Sequence, residues 1–206
     1  MLTFLRKSQY QALSEITLNG KILDLGGSVK ASYHPLIKGE HTFTVVNLDE
    51  RYGYDLKFDL EEKFPLEDKS YDAIICLNLL EHLFNFQNAV NESYRVLTDG
   101  GIIIGSTPFM YNVHGSPDDF FRYTKSALKR ILEKAGFKDI QIKELGSGMF
   151  GAVYQTKFNL YNKLGLLNLV VLKYHILLDK ILKKIFPNKY FSQEYFPLGY
   201  FFIAKK

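Results

Sequence analysis

The residues best placed to do chemistry lie in a few short stretches of the chain. Gly26-Gly27-Ser28 ends the apolar run that includes Ile22, Leu23 and Leu25. Backbone without side chains at such a point can come close to a ligand. A strand that stops at a glycine turn is the usual crevice of an open parallel α/β sheet, where ligands sit beyond the carboxyl ends of the strands. An ordinary strand-to-helix turn that binds nothing reads the same over Lys21 to Ser28. Asp49 follows 25 residues after Asp24, at the end of the next apolar run. A carboxylate there can accept hydrogen bonds from both hydroxyls of a ribose, or it can simply be solvated. Asp59 can take the exocyclic amine of an adenine. His82 and His114 are the natural proton carriers, because an imidazole titrates near neutrality; capping a helix or bonding a carbonyl is the competing role for each. Asp119 and Arg122 are three residues apart, so on one helical turn they can pair and either shape a pocket or only order their loop.

These groups need a scaffold that gathers strand ends on one rim. The chain has 206 residues, 47% of them hydrophobic and 23% charged, which suffices for one α/β domain with a full core. Apolar runs at Thr42 to Leu48, Tyr71 to Leu77, Gly101 to Ser106, Phe137 to Leu145 and Leu198 to Ala204 join the first run as strands, with a shorter one at Asp55 to Asp59. Helical spacing is found at Phe4 to Ile16, Phe86 to Leu97 and Lys125 to Ala135, the last capped by Thr124 and stopped by Gly136. Pro35 interrupts the stretch between the first two strands. This alternation predicts a doubly wound, mostly parallel sheet. Residues 1–206 are expected to form a single domain, with a helical cover at 1–19 and a helical insertion at 146–197. The one cysteine, Cys76, sits in an apolar run; it excludes an intramolecular disulfide and favours a reducing compartment. No cysteine and histidine cluster suggests zinc, so no metal is expected.

Taken together, KILDLGGS, the acidic Asp49, FDLEEKFPLEDKSYDAIICLNLLEHL, RVLTDGGIIIGSTP and the closing LGYFFIAKK resemble the class I S-adenosylmethionine-dependent methyltransferases. The likeness covers roughly residues 20–145 and 196–206. It implies a Rossmann-like sheet of seven strands in the order 3-2-1-4-5-7-6, the last antiparallel, with S-adenosylmethionine as cofactor. The methionine end would pass over Gly26, Gly27 and Ser28, with Asp24 near its amino group. Asp49 would hold the ribose, Asp59 and Leu60 would meet the adenine, and Asn78 would line the pocket. The segment from His114 to Thr124 resembles the H-x-x-P-x-D-Y/F-x-R-Y/F-T loop of a subset of these enzymes, several associated with cell-surface glycans. That likeness assigns Asp118, Asp119, Arg122 and Tyr123 to the acceptor side. The implied activity is methyl transfer to a small-molecule or glycan-type acceptor, at oxygen, with His82 or His114 as base. The competing function is a catalytically silent protein of the same fold that binds through a basic helix. A dinucleotide dehydrogenase is disfavoured, because the turn reads G-G-S-V-K-A and not G-x-G-x-x-G.

The net charge of +4 is uneven: from Lys157 onward nine lysines face only Asp179 and Glu194. Within that stretch Leu167, Val170, Val171, Tyr174, Leu177, Leu178, Ile181 and Ile185 recur at three- and four-residue steps, interrupted by Lys173, Lys180, Lys183 and Lys184. The lysines exclude a membrane span and fit a basic amphipathic helix within 157–188. Such a helix can cover its own sheet, pair with a second subunit, or lie on an anionic membrane. A stripe of this kind most often faces its own core. No nucleic-acid module is recognisable, so nucleic acid is not an expected partner. The N-terminus has no apolar segment of signal-peptide length, which predicts a cytoplasmic protein, with attachment to the inner face of the membrane as the alternative.

Overall fold

A computed structural model describes residues 2–187 and 191–206 of the chain, so residues 188–190 of the expected insertion lie outside the described residues. Six strands form one sheet: β1 (Gly20–Leu25), β2 (His41–Val46), β3 (Tyr71–Leu77), β4 (Leu97–Pro108), β5 (Lys138–Leu145) and β6 (Gly199–Lys205), in the order β2-β1-β3-β4-β6-β5. The first four are parallel and β6 runs antiparallel between β4 and β5. This is the expected order without its edge strand. Asp55 to Asp59 forms no strand; it makes a single parallel bridge, Leu56 to Val46. The Asp55 carboxylate accepts the Val45 N–H at 2.8 Å, a donor that an edge strand would need for its ladder, and Val45 O takes both following N–H groups.

Side-chain alternation along the central strands builds two cores. Leu23, Leu25, Ile74, Cys76, Ile103 and Phe202 pack on one face under α2 (Phe86–Val96) and α3 (Lys125–Ala135). Ile22, Ala73, Ile75, Ile104 and Phe201 pack on the other under α1 (Phe4–Leu13). The predicted caps of α3 are present: Thr124 Oγ1 accepts the Ala127 N–H, and Gly136 is left-handed. Between β1 and β2 only a short 3-10 turn, His34–Leu36, forms around Pro35.

The insertion folds as α4 (Met149–Thr156), α5 (Phe158–Asn162) and α6 (Leu167–Ile185). The orientation of α6 overturns, for most of the stripe, the expectation that it covers the protein's own core; Val171 packs against that core and Leu178 is half-buried. Asn168, Leu172, His175 and Asp179 are the buried residues, while Leu167, Val170, Tyr174, Leu177, Ile181 and Ile185 are between 43% and 63% exposed. The polar face turns inward because it carries the hydrogen bonds that α4 lacks. α4 starts at Gly148 without a side-chain cap, and the buried Asp179 supplies one from a distance. Its carboxylate accepts the Phe150 and Gly151 N–H groups at 2.8 Å each and the Ser147 hydroxyl at 2.6 Å. His175 packs its ring among Phe150, Tyr154 and Tyr161. Asp179→Ala strands these donors and is expected to destabilise the protein by about 3 kcal/mol, read as a lower midpoint in urea unfolding with α6 losing hydrogen-exchange protection first.

Candidate active site

β1 is the switch point of the sheet, with β2 on one side and β3 on the other, and a cleft of about 1050 Å³ opens beyond the carboxyl ends of the parallel strands. One wall is the Gly26 to Ser28 turn, with Asn47 to Asp49 and Phe58 to Glu61; the opposite wall is Asn78, His82 and the loop from Tyr111 to Asp118; α1 contributes Arg6, Gln9 and Tyr10. Gly26, Gly27, Ser28, Asp49, Asp59, Leu60, Asn78, His82, His114 and Asp118 therefore share one cavity.

The reason for the two glycines differs from the simplest expectation. Gly26 is left-handed (φ 71°), and a Cβ there would press on Leu79 at 2.8 Å; a Cβ on Gly27 would fall 2.1 Å from Asp24 Oδ2. Gly27 is thus glycine because it lies on a buried carboxylate. Asp24 itself, expected beside the ligand's amino group, has no exposed surface and does not line the cleft. Its Oδ2 accepts from the Tyr33 hydroxyl at 2.6 Å and contacts His34 Nε2 at 2.8 Å. Burial raises its pKa, opposed by these two partners.

Asp49 lines the cleft, but its carboxylate is gripped by the exposed Arg51 guanidinium and caps the 3-10 turn Glu50–Tyr52. The Arg51 pairing lowers the Asp49 pKa. An exposed pair of this kind is weak, so a diol can compete for the carboxylate. Asp59 Oδ1 accepts the Glu61 N–H at 2.9 Å. Asn78 takes a left-handed backbone (φ 49°) and exchanges hydrogen bonds with Gln9 of α1 at 2.6 and 3.3 Å, while Gln9 also reaches Ser106 at 3.0 Å. Gln9 is a site residue that helical periodicity alone does not reveal: a buried amide on a helix otherwise read as cover.

On the far wall, His82 and His114 meet edge to face with ring centroids 5.0 Å apart. His82 Nδ1 lies 2.6 Å from the Asp118 carbonyl, and His114 Nδ1 lies 3.2 Å from the Asn112 carbonyl and 3.4 Å from Asp119 Oδ2. Partial burial lowers the His114 pKa, which favours the neutral ring. Asp119 and Arg122 form a two-pronged pair that also holds the His114 N–H at 2.8 Å and the Asn112 carbonyl at 3.2 Å. That arrangement staples the loop, and neither residue lines the cleft. Tyr123 is buried, donates to the Leu80 carbonyl at 2.9 Å and does not line the cleft either. Sequence reading passed over Glu81. It is wholly buried beside His82, both carboxylate oxygens lack a hydrogen-bond partner, and burial pushes its pKa up to about 8. Its adjacency to His82 was the only signal available. Arg122→Ala should release the loop, with proteolytic cleavage between residues 112 and 120 rising at least tenfold over the wild-type chain.

A methyltransferase-domain family model matches residues 40–105. A relative from Mycolicibacterium smegmatis, named "probable S-adenosylmethionine-dependent methyltransferase", is 30% identical over 102 residues, covering 46% of this chain and 40% of its own length. The chain spans about two fifths of the length of the curated relatives it matches. Among solved structures, a SAM-dependent methyltransferase from Thermotoga maritima superposes with a TM-score of 0.60 at 16% identity, over 98% of this chain and 90% of the other. The cyclase SpnF superposes with a TM-score of 0.63 at 18% identity, over 96% and 79%. The fold is therefore the Rossmann-like methyltransferase fold.

Proposed function

We propose that this chain is an S-adenosylmethionine-dependent methyltransferase acting on an oxygen of a small-molecule or glycan-type acceptor. The observation that carries this reading is the joint placement of two chemistries in one cleft: the glycine turn with Asp49, Asp59 and Leu60 on one wall, and the histidine pair on the other. The cavity and its donor set suit the cofactor. Asp49 would hold the ribose, Asp59 and Leu60 the adenine, and the turn with Ser28 and Asn78 the methionine end. S-adenosylmethionine, when bound, supplies an electrophilic methyl group on sulfur. The chain's own task is then to orient the acceptor, exclude water and let the acceptor's proton leave at the His82 and His114 pair. Both rings point an Nδ1 at a carbonyl, which makes that atom a donor and Nε2 the atom through which a neutral ring would take the proton.

The cyclase neighbour shows that this fold does not dictate methyl transfer, so cofactor binding is the first test. Titration calorimetry should find one S-adenosylmethionine site, weakened about tenfold (~1.4 kcal/mol) by Asp49→Ala. No binding at millimolar ligand favours the silent binding module. His114→Ala should abolish turnover, measured as methyl incorporation by mass spectrometry, while cofactor affinity stays nearly intact; unchanged turnover removes His114 as base and leaves His82.

We further propose that α6 rests on an anionic membrane surface. At about 100° per residue, Leu167, Val170, Tyr174, Leu177, Ile181 and Ile185 form one outward arc, and Lys173, Lys180 and Lys184 line one flank of it. No described helix is long and apolar enough to cross a membrane. The only carboxylate on α6 is the buried Asp179, so a second copy docked on this face would bring lysines without neutralising any. Anionic headgroups neutralise them at about 1 kcal/mol per lysine, while the apolar arc enters the interface. The chain should co-sediment with phosphatidylglycerol vesicles and not with phosphatidylcholine vesicles, and Val170→Glu with Leu177→Glu should abolish pelleting. Equal recovery in the supernatant for all samples, or a stable dimer by light scattering that these changes dissociate, overturns the membrane reading.

A further inference from the structure

Glu81 is the group in the cleft region that the methyltransferase reading leaves without a task. It has no exposed surface, and neither carboxylate oxygen has a hydrogen-bond partner. A buried carboxylate in that condition loses its hydration without compensation. What faces it deepens the problem. His82 Nε2 stands 3.8 Å from Glu81 Oε1, and the bond from His82 Nδ1 to the Asp118 carbonyl makes Nδ1 a donor, which leaves Nε2 as the ring atom facing the carboxylate. Two groups able to hold a cation thus face one another in a buried spot, where either a proton or a metal ion can lie between them.

We infer that Glu81, His82 and His114 bind a divalent first-row transition metal ion such as zinc or manganese at the acceptor end of the cleft. One ligand atom from each residue lies within 4.8 Å of the others. Bonds near 2 Å to a tetrahedral ion put ligand atoms about 3.3 Å apart. The trio must therefore close by about 1.5 Å or less to hold such an ion. Two imidazoles and one carboxylate suit zinc, manganese or iron better than magnesium or calcium, which favour all-oxygen shells. The outer contacts also fit: Asp118 O holds the His82 ring, and Asn112 O with Asp119 Oδ2 holds the His114 ring, as metal-bound histidines are commonly oriented through their other nitrogen. Three protein ligands leave coordination positions open, and His82 and His114 both line the cleft. The ion's role rests on the proposed methyl transfer: with both imidazoles serving as ligands in place of the base role given them above, a bound ion would lower the pKa of an acceptor hydroxyl, whose proton would leave to cleft water. The site itself stands on the trio's geometry and revises the expectation that no metal is bound.

Whole protein stripped with a chelator and titrated with Co²⁺, with Zn²⁺ and Mn²⁺ as competitors, tests the site by the visible absorption of bound cobalt. One equivalent should bind, Glu81→Gln and His114→Ala should each weaken binding at least tenfold, and the remote His41→Ala should bind as wild type. If Glu81→Gln fails to fold by circular dichroism, His114→Ala decides alone. No binding below millimolar metal, or equal binding by His114→Ala, overturns the inference. Titrating S-adenosylmethionine into the same samples keeps the two readings apart. Cofactor binding without metal binding removes the metal site and leaves the methyltransferase reading; metal binding without cofactor binding does the reverse.

Discussion

The cleft depends on a carboxylate that no ligand can reach. Asp24 sits at the end of β1 with no exposed surface, and its side chain ties the turn above it to the chain that follows, through Tyr33 and His34. Gly27 must be glycine to lie over it, and Asn47 from the neighbouring strand end clamps the turn by donating to the Gly26 and Gly27 carbonyls at 3.3 and 2.6 Å. A buried carboxyl group whose one oxygen is held by two partners is costly to leave unpaired, so removing either partner destabilises the turn. That makes the turn a rigid floor, and rigidity is what a site working by positioning requires.

The opposite wall is held by a different device. The Asp119 and Arg122 fork closes the long aromatic loop on itself, and the Asp118 carbonyl beside it orients His82. Because the fork is two-pronged and Asp119 is nearly buried, it orders the segment that carries His114. The Arg122 guanidinium holds the Asp119 carboxyl well below the usual carboxylate range, which keeps the pair ionised near neutral pH. Glu81 completes this wall from below. Its main-chain oxygen accepts the Phe120 N–H at 2.8 Å, which joins the loop to the end of β3.

The insertion shows hydrophobic patterning pointing the wrong way for a self-contained core. α6 has an apolar stripe and a polar stripe, and the polar one is inside, because Asp179, His175 and Asn168 meet specific partners on α4 and α5. Directional hydrogen bonds to an uncapped helix outweigh an apolar face that any apolar surface could satisfy. The stripe is therefore left for something outside the chain, and the lysines along its flank give that partner a sign of charge.

What the amino-acid sequence determined by itself was the local order: apolar runs that become strands, Thr124 and Gly136 as caps, Pro35 as a break, the glycine turn, and the cleft at the strand ends with Asp49, Asp59, His82 and His114 around it. These features follow from short-range sterics and periodicity, which are written in neighbouring residues. Tertiary structure decided the rest. It reduced the Asp55 to Asp59 segment to a bridge because a side chain took the ladder's hydrogen bond, buried Asp24 beneath Gly27, and turned α6 over. It also brought Glu81 to His114 across 33 residues of chain. Each of these outcomes depends on which distant group satisfies a buried polar atom, and no local pattern carries that information.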